Sequence, residues 1–425
     1  MKKHIPWTWV PSLYFAEGLP YVVVMTLSLV MYKRMGISNT ETALYTSWLN
    51  LPWVIKPLWS PFIDLIKTKR WWVTSMQLLI GAGLAGIAFT LPANHFFTTT
   101  LAIFWLIAFS SATHDIAADG FYMLGLNLRQ QTLFVGIRST FYRLATIAGQ
   151  GLLIMLAGYL ERITGRISYA WSLTFFVLAG LFLALWIYHT SALPRPQTDK
   201  AVSHSSVTTL LTDFLRTFRS FFQKEHAAVA ILFMLFYRLP EAQLAKISIP
   251  FLLDSAEQGG LGMTTEQIGF AQGTIGIIGL TLGGILGGIA AARHGLKRWL
   301  WTMVWAISLP DIVYVYLSYA QPTNLLLINS CIFIEQFGYG FGFTAYMLYL
   351  IYFSEGPHKT AHYAICTAFM ALGMMLPGMV AGWIQETVGY RLFFIWIMVC
   401  TAATFGVTAL LHFDDKKNRE TPKRQ

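Results

Sequence analysis

Long apolar runs separated by short polar segments extend along the whole chain. Each run has about 20 residues or more, the length that an α-helix needs to cross a hydrocarbon core ~30 Å thick. We predict twelve spans, at residues 8–32, 41–66, 71–91, 98–125, 132–160, 168–192, 227–254, 265–292, 299–320, 323–353, 359–386 and 389–412. The first run contains Glu17 and shows no small-residue cleavage site, so we interpret it as a span and not as a secretory signal. The pattern predicts an all-α membrane protein.

One long polar segment divides these spans into two sets of six. The predicted parts are an N-terminal half at 1–192, a linker at 193–226, a C-terminal half at 227–412 and a tail at 413–425. The linker places apolar side chains on one helical face and arginines elsewhere, which is typical of a helix lying on a membrane surface; the apolar residues are Leu210, Phe214, Phe218 and Phe221. A role in binding a partner is the alternative for this helix.

The two halves resemble each other in sequence. Lys69-Arg70-Trp71 after span 2 matches Lys297-Arg298-Trp299 after span 8, and Tyr122-Met123-Leu124 matches Tyr346-Met347-Leu348. Six helices, a linker and six related helices in the same orientation form a parallel repeat about an axis along the membrane normal. This arrangement resembles the major facilitator fold, with twelve transmembrane helices in two halves around a central site.

The loops after spans 2 and 8 also resemble the G-x-x-x-D-R-x-G-x-K/R loop of major facilitator transporters. The resemblance implies that charged side chains there bridge neighbouring helices in one state of the transport cycle. We predict a gating or structural role for Asp64, Lys69, Arg70, Arg293, Lys297 and Arg298.

Composition supports a membrane protein and fixes its predicted orientation. Only 12% of the residues are charged, the mean hydropathy is +0.54 and the net charge is +10. The basic residues concentrate in the N-terminus, the linker, alternate loops and the tail, which places these segments in the cytoplasm. The positive charge therefore reflects topology, and we expect no nucleic-acid partner. The three cysteines all lie in apolar spans and predict no disulfide framework.

Charged and polar side chains within the spans are the candidate functional residues. A charge at the bilayer centre costs about 2.5–3.5 kcal/mol or more, so it usually faces a cavity or a partner. In the fold that this chain resembles, helices 1, 4, 7 and 10 line the cavity. We predict a substrate and proton pathway that contains Glu17, Lys56, His114, Asp115, Asp119, Tyr122, Arg138, Tyr142, Arg143, Arg238, Glu241, Lys246 and Glu335. By contrast, we expect Asp311 in span 9 to be peripheral and structural.

The depths of these residues predict particular ion pairs. Asp115 lies at about the same depth as Lys56 and Arg143, and Asp119 at about the depth of Arg138, counted at 1.5 Å per residue. We therefore predict that Asp115 pairs with Arg143 and Asp119 with Arg138. An arginine that moves away during transport would let its aspartate bind a proton, whereas a permanent ion pair would only fix two helices. His114 projects about 100° away from the aspartates and has the alternative of a simple hydrogen bond to a neighbouring helix.

A narrower resemblance covers spans 1 to 5. The stretches FAEGLPYVV, VIKPLWSPFID, AFSSATHDIAADGFY and STFYRLATIAGQG resemble the AmpG muropeptide permeases and the related acetyl-CoA transporters. The matching residues are Gly18-Leu19-Pro20, Lys56, Leu58–Pro61, Asp64, Asp115, Asp119 and Tyr142-Arg143. The resemblance implies proton-coupled import of anhydromuropeptides across the bacterial inner membrane. His114 stands where AmpG proteins have glutamine.

Several other functions are compatible with the same composition. Import of another bulky anion, such as a siderophore or a nucleotide conjugate, is the main alternative, followed by a membrane sensor that does not transport. A membrane-embedded enzyme is disfavoured because the one His-Asp pair has no nucleophile or further histidine beside it. We expect a monomer that binds a small molecule and protons within the lipid bilayer, without a cofactor or metal.

Overall fold

The computed structural model describes residues 5–197, residue 199 and residues 207–412. The N-terminal half is a bundle of six transmembrane helices. They are α1 (Val10–Val22, Val23–Leu27 and Ser28–Arg34), α2 (Asn39–Trp48 and Leu51–Ile66), α3 (Lys69–Thr90), α4 (Phe96–Gly125), α5 (Leu128–Ile147, Ala148–Leu152 and Leu153–Thr164) and α6 (Ile167–Ala192).

A linker helix, Val207–Phe222, precedes the second bundle. The helices of the C-terminal half are α7 (Ala227–Phe236 and Leu239–Leu253), α8 (Thr265–Phe270, Ala271–Gly276 and Ile277–His294), α9 (Leu296–Ser308 and Ile312–Ala320), α10 (Leu325–Ser354) and, within Lys359–Ala409, α11 and α12.

The twelve-span prediction is confirmed once two irregular helices are taken into account. Among the described residues, ten helical segments are long and apolar enough to cross a membrane. The 51-residue segment Lys359–Ala409 would be about 75 Å long, far more than one crossing needs. Gly389, with φ 77° and ψ 166°, interrupts it and divides α11 from α12. The twelfth helix is α2, which a turn at Leu49 and Asn50 breaks into two pieces.

Short polar residues cap the N-termini of several helices. Asn127 and Gln130 form a reciprocal capping box at the start of α5, and Thr264 and Gln267 form the same motif at the start of α8. Such caps satisfy backbone N–H groups that have no partner within the helix. At the other end of α5, Gly165 ends the helix in the left-handed conformation, with φ 64°.

The two halves contact each other mainly through α5 with α8 and α2 with α11. A Cβ atom on Gly273 of α8 would lie 2.2 Å from Cα of Gly151 on α5, and one on Gly382 of α11 would lie 2.1 Å from the carbonyl oxygen of Asn39. Gly151 and Gly273 both lie in π-helical turns, which widen the helix locally. These crossings need glycine because any side chain would force the helices apart.

The contacts between the halves lie toward one end of the bundle. We call the end where α1 starts the terminal face, and the end where α1 finishes the distal face. The linker helix lies at the terminal face, where Phe221 is buried and Ser220 is 2.9 Å from His362 Nε2 of α11. The predicted apolar side chains of Leu210 and Phe214 lie outside the described residues, as does the tail from residue 413.

Candidate functional site

Three carboxylates from α1 and α4 meet inside the N-terminal half. Glu17, Asp115 and Asp119 each offer an oxygen, and these oxygens lie within 4.8 Å of one another. We call this group the N-terminal cluster. Glu17 is buried, with one oxygen that has no hydrogen-bond partner among the described residues, whereas Asp115 and Asp119 are half-buried. All three belong to the predicted substrate and proton pathway, and that role stays a prediction.

Asp119 forms the predicted ion pair with Arg138 of α5. The distance from Arg138 Nη2 to Asp119 Oδ1 is 2.8 Å, and the Tyr14 hydroxyl donates to the same oxygen at 3.0 Å. The guanidinium group also lies over two aromatic rings, 4.5 Å from the centre of Tyr14 and 5.2 Å from that of Tyr122. Charge pairing and cation–π contact together hold Arg138 against α1 and α4.

The predicted pair between Asp115 and Arg143 is wrong. Asp115 instead pairs with Lys56 Nζ of α2, while Arg143 Nη1 donates to Thr281 Oγ1 of α8 at 3.1 Å. The depth calculation put all three residues at one level, but depth alone does not determine which neighbouring helix faces α4. Arg143 therefore connects the two halves and leaves Lys56 to neutralise Asp115.

His114 lies on a different face of α4, within a buried chain of polar side chains. Its Nε2 is 3.0 Å from Gln77 Nε2 of α3, and Gln77 Oε1 is 3.0 Å from His189 Nδ1 of α6. His189 Nε2 in turn lies 2.9 Å from Ser12 Oγ of α1. His114 is completely buried, so the alternative of a hydrogen bond to a neighbouring helix is the one that the structure shows.

On α7, Arg238 occupies an aromatic site in the C-terminal half. Its guanidinium carbon lies 4.7 Å from the ring centre of Phe343 and 5.3 Å from that of Tyr339, and Nη2 donates to the Tyr339 hydroxyl. The repeat aligns Tyr122 with Tyr346 and, at the same offset, Asp115 with Tyr339. The positions of Asp115 and Asp119 in one half thus carry the aromatic residues Tyr339 and Phe343 in the other, and both rings lie against Arg238.

A second acidic group, the C-terminal cluster, contains Glu241, Asp311 and Glu335. One carboxylate oxygen of each lies within 4.8 Å of the others, and all three residues are buried. Our expectation of a peripheral position for Asp311 is wrong, because the short turn Leu309–Asp311 turns α9 toward α7 and α10. An aspartate in an apolar span beside Pro310 was the sequence signal for this position.

Two further predicted pathway residues lie at helix contacts. Lys246 of α7 is buried, and its Nζ donates to Thr46 Oγ1 of α2 at 3.0 Å, which links the halves. Tyr142 of α5 is half-buried against α1, where a Cβ atom on Gly18 would lie 3.1 Å from Tyr142 Cδ2. Gly18 therefore permits the close approach of α1 to α5.

The predicted gating residues differ between the two halves. The backbone N–H groups of Lys69 and Arg70 both donate to the carboxylate of Asp199, at 2.7 Å and 3.0 Å, and Arg70 Nε donates to the Leu193 carbonyl at 3.3 Å. In the other half, Arg293, Lys297 and Arg298 are exposed. The side chain of Asp64 lies outside the described residues. A gating role for this set stays a prediction.

A polar network at the distal face joins the halves, and the sequence reasoning missed it. Lys33 Nζ of α1 lies 2.7 Å from Asp254 Oδ1 at the end of α7, and the Tyr390 hydroxyl donates to Asp254 Oδ2 at 2.5 Å. Asn39 Nδ2 donates to Gln385 Oε1 at 2.6 Å and to the Tyr390 hydroxyl at 3.0 Å. We call these five residues the distal network.

Glu161, at the end of α5, makes a second connection at the same face. It accepts hydrogen bonds from Arg34 Nη2 at 2.9 Å, Trp171 Nε1 at 2.7 Å and Thr265 Oγ1 of α8 at 2.8 Å. Residues at helix ends resemble ordinary loop charges in a sequence, which explains why neither network was predicted. The distal face is thus closed by bonds that must break for the halves to separate there.

Comparison with known proteins places this geometry in a family. The sequence model of the Major Facilitator Superfamily matches residues 12–349 and 243–425. Transporter AmpG 4 of Rickettsia conorii (strain ATCC VR-613 / Malish 7) is 25% identical over 413 residues, which cover 95% of each chain. The anhydromuropeptide permease of Escherichia coli (strain K12) is 26% identical over 405 residues, which cover 93% of this chain and 77% of that protein.

Solved structures agree on the fold. A D-xylose–proton symporter matches with a TM-score of 0.72 at 13% identity, covering 98% of this chain and 99% of its own. A bacterial homologue of the human lysosomal transporter Spinster matches with a TM-score of 0.67 at 14% identity, covering 96% and 98%. At these identities the likeness shows the fold alone.

Proposed function

Because the chain belongs to the Major Facilitator Superfamily and is a multi-pass membrane transporter similar to the AmpG proteins, we propose that it imports anhydromuropeptides together with protons. The observation that carries the proposal is the pair of unlike central sites. An acidic cluster with Lys56 and Arg138 lies in one half, and Arg238 on aromatic rings lies in the other.

An anhydromuropeptide carries sugar rings, peptide carboxylates and an amine, and these groups match the two sites. Arginine binds carboxylates through two parallel hydrogen bonds, and aromatic rings stack on the apolar faces of sugars. Arg238 and Tyr339 are therefore proposed to bind the peptide carboxylate, and Asp115 and Asp119 the polar groups at the other end. A relative described as an anhydromuropeptide permease supports this substrate class.

Proton coupling is proposed to use the N-terminal cluster. Its three carboxylates have two cationic partners, Lys56 and Arg138, and Glu17 keeps one buried oxygen without a partner. Closely spaced like charges in a medium of low dielectric disfavour full ionisation. One proton would neutralise the excess charge, and its release would accompany movement of a cation away from its carboxylate.

We further propose that the protein lies in the bacterial inner membrane with both termini in the cytoplasm. The basic terminal segments and linker support this orientation through the positive-inside rule. The distal face would then point outward, and its closed networks would make the described conformation inward-facing.

Uptake of labelled anhydromuropeptide into membrane vesicles tests the substrate and the coupling. We expect accumulation that stops when the proton gradient is collapsed and that is lost in Asp115→Asn. Glu41→Gln is the matched control, because it changes an exposed carboxylate that, among the described residues, is hydrogen-bonded to Ser38 alone. Uptake of a siderophore or a nucleotide conjugate in place of the muropeptide would refute the substrate, and accumulation that persists without the gradient would refute the coupling.

A further inference from the structure

We propose that Glu241, Asp311 and Glu335 form a second proton-binding site, separate from the residues assigned to the substrate. The proposal rests on the transport function proposed above and adds to it a site in the C-terminal half. Three helices contribute, since Glu241 lies on α7, Asp311 at the break in α9 and Glu335 on α10.

The burial of the three side chains is close to complete. Glu241 is 7% exposed, Asp311 3% and Glu335 2%, although each offers an oxygen within 4.8 Å of the other two. Three unit charges at this spacing repel one another strongly where water is excluded. Ionisation of all three is thus disfavoured, and a proton shared between the oxygens relieves the repulsion.

Cationic partners distinguish this group from the N-terminal cluster. In the described part of the chain, no lysine or arginine nitrogen lies within 4.0 Å of these three carboxylates, whereas Lys56 and Arg138 pair with the N-terminal cluster. Independently, Oε2 of Glu241 is buried and has no hydrogen-bond partner among the described residues. A buried carboxylate oxygen that accepts no hydrogen bond is energetically unfavourable. A bound proton would remove its charge and let the carboxyl group donate a hydrogen bond to a neighbouring carboxylate.

The donor set fits a proton better than a metal ion. Calcium takes six to eight oxygen ligands and magnesium about six, and waters usually complete the magnesium set. The three carboxylates here are at most 7% exposed, which shields them from such waters. The amide of Gln336 points its NH₂ group at Glu335, with distances of 3.2 Å and 3.0 Å to the two oxygens, and so presents a donor there and not a ligand.

The surrounding charged and titratable groups connect this site to the substrate site. Arg238 lies three residues before Glu241, at the break between the two segments of α7, and donates to the Tyr339 hydroxyl of α10. Tyr314 of α9 is buried and is close enough to Glu335 to interact with it electrostatically. A substrate carboxylate bound to Arg238 would offset the positive charge of the guanidinium group, so that this charge would stabilise the Glu241 carboxylate less. The carboxyl group of Glu241 would then favour its protonated form, which couples substrate binding to proton binding.

Infrared difference spectroscopy tests the site without any substrate. Purified full-length protein is titrated with base, and the carbonyl stretch of protonated carboxyl groups is followed. We expect Glu335→Gln and Asp311→Asn each to lose part of the wild-type band, while Glu257→Gln, at an exposed loop carboxylate, leaves it unchanged. A wild-type band in both cluster variants would overturn the proposal.

Transport in proteoliposomes tests the role of the bound proton. For each coupled proton, a pH difference of one unit supports about tenfold accumulation. We expect Glu335→Gln to lower accumulation by that factor while exchange of internal for external substrate continues. Unchanged accumulation, or loss of exchange in folded protein, would contradict the proposal. The infrared experiment needs no muropeptide, so its result stays valid even if the proposed substrate is incorrect. The proposals of the proton site and of the substrate can therefore fail separately.

Discussion

Removing the charge of Asp254 should weaken the closure of the distal face. Asp254 is largely buried, and its carboxylate accepts hydrogen bonds from Lys33 and Tyr390, both across 2.8 Å or less. A hydrogen bond to a charged group contributes about 1.5–3 kcal/mol. In Asp254→Asn the amide still accepts one bond but loses the ion pair, so we expect the closed state to lose about 2 kcal/mol, or roughly 30-fold in the equilibrium between states.

Pulsed electron paramagnetic resonance between spin labels at the distal face measures this shift. The labels are attached to cysteines that replace Arg166, which follows α5, and Glu257, which follows α7. Both native residues are exposed, and they belong to opposite halves. The variant should add a population at longer distance, whereas the matched control Glu41→Gln should keep the wild-type distribution. An unchanged distribution in Asp254→Asn would show that the distal network does not hold the halves together.

Three further predictions concern helix contacts and buried polar groups. In Gly273→Leu the new Cβ atom would lie 2.2 Å from Cα of Gly151 on α5. The variant should therefore separate the halves at the distal face and destabilise the closed state by about 1–3 kcal/mol. A distance between the spin labels as short as in the wild type would refute this. Gln77→Leu leaves His114 and His189 without their shared hydrogen-bond partner. It should lower the free energy of unfolding, measured by thermal unfolding in detergent, by about 1–3 kcal/mol for each group left unpaired. A changed KM for uptake would instead assign these buried polar side chains to the substrate site. Lys56→Met leaves Asp115 without its cation and should lower the thermal stability of the protein in detergent more than the Lys56→Met, Asp115→Leu double variant does; additive losses of stability would show that the two side chains act independently.

Much of the fold could be predicted because a bilayer imposes strong rules on sequence. Apolar length determined the helices, and the match of Lys69-Arg70-Trp71 with Lys297-Arg298-Trp299 indicated the repeat. The predicted gap between the last two spans, at residues 387–388, lies directly before the break at Gly389. Helix ends were less accurate, because α5 extends to Leu128–Thr164, beyond the predicted 132–160.

The site could be predicted only in part, because helical periodicity gives the depth and face of a residue but not its neighbour. Depth correctly identified the pair of Asp119 with Arg138 and put Lys56 level with Asp115, yet the choice of Arg143 as partner was wrong. Asp311 was misplaced because its position depends on a turn within α9. Such features depend on how helices rotate and break, which the packing of both halves determines.

Proton movement during uptake tests the central claim most directly. Purified protein is placed in proteoliposomes in a weakly buffered medium, and external pH is recorded as anhydromuropeptide is added. Import coupled to protons predicts a rise in external pH that follows the substrate and disappears in Asp115→Asn. Uptake of the muropeptide without a change in pH, or no uptake by folded wild-type protein, would contradict the account.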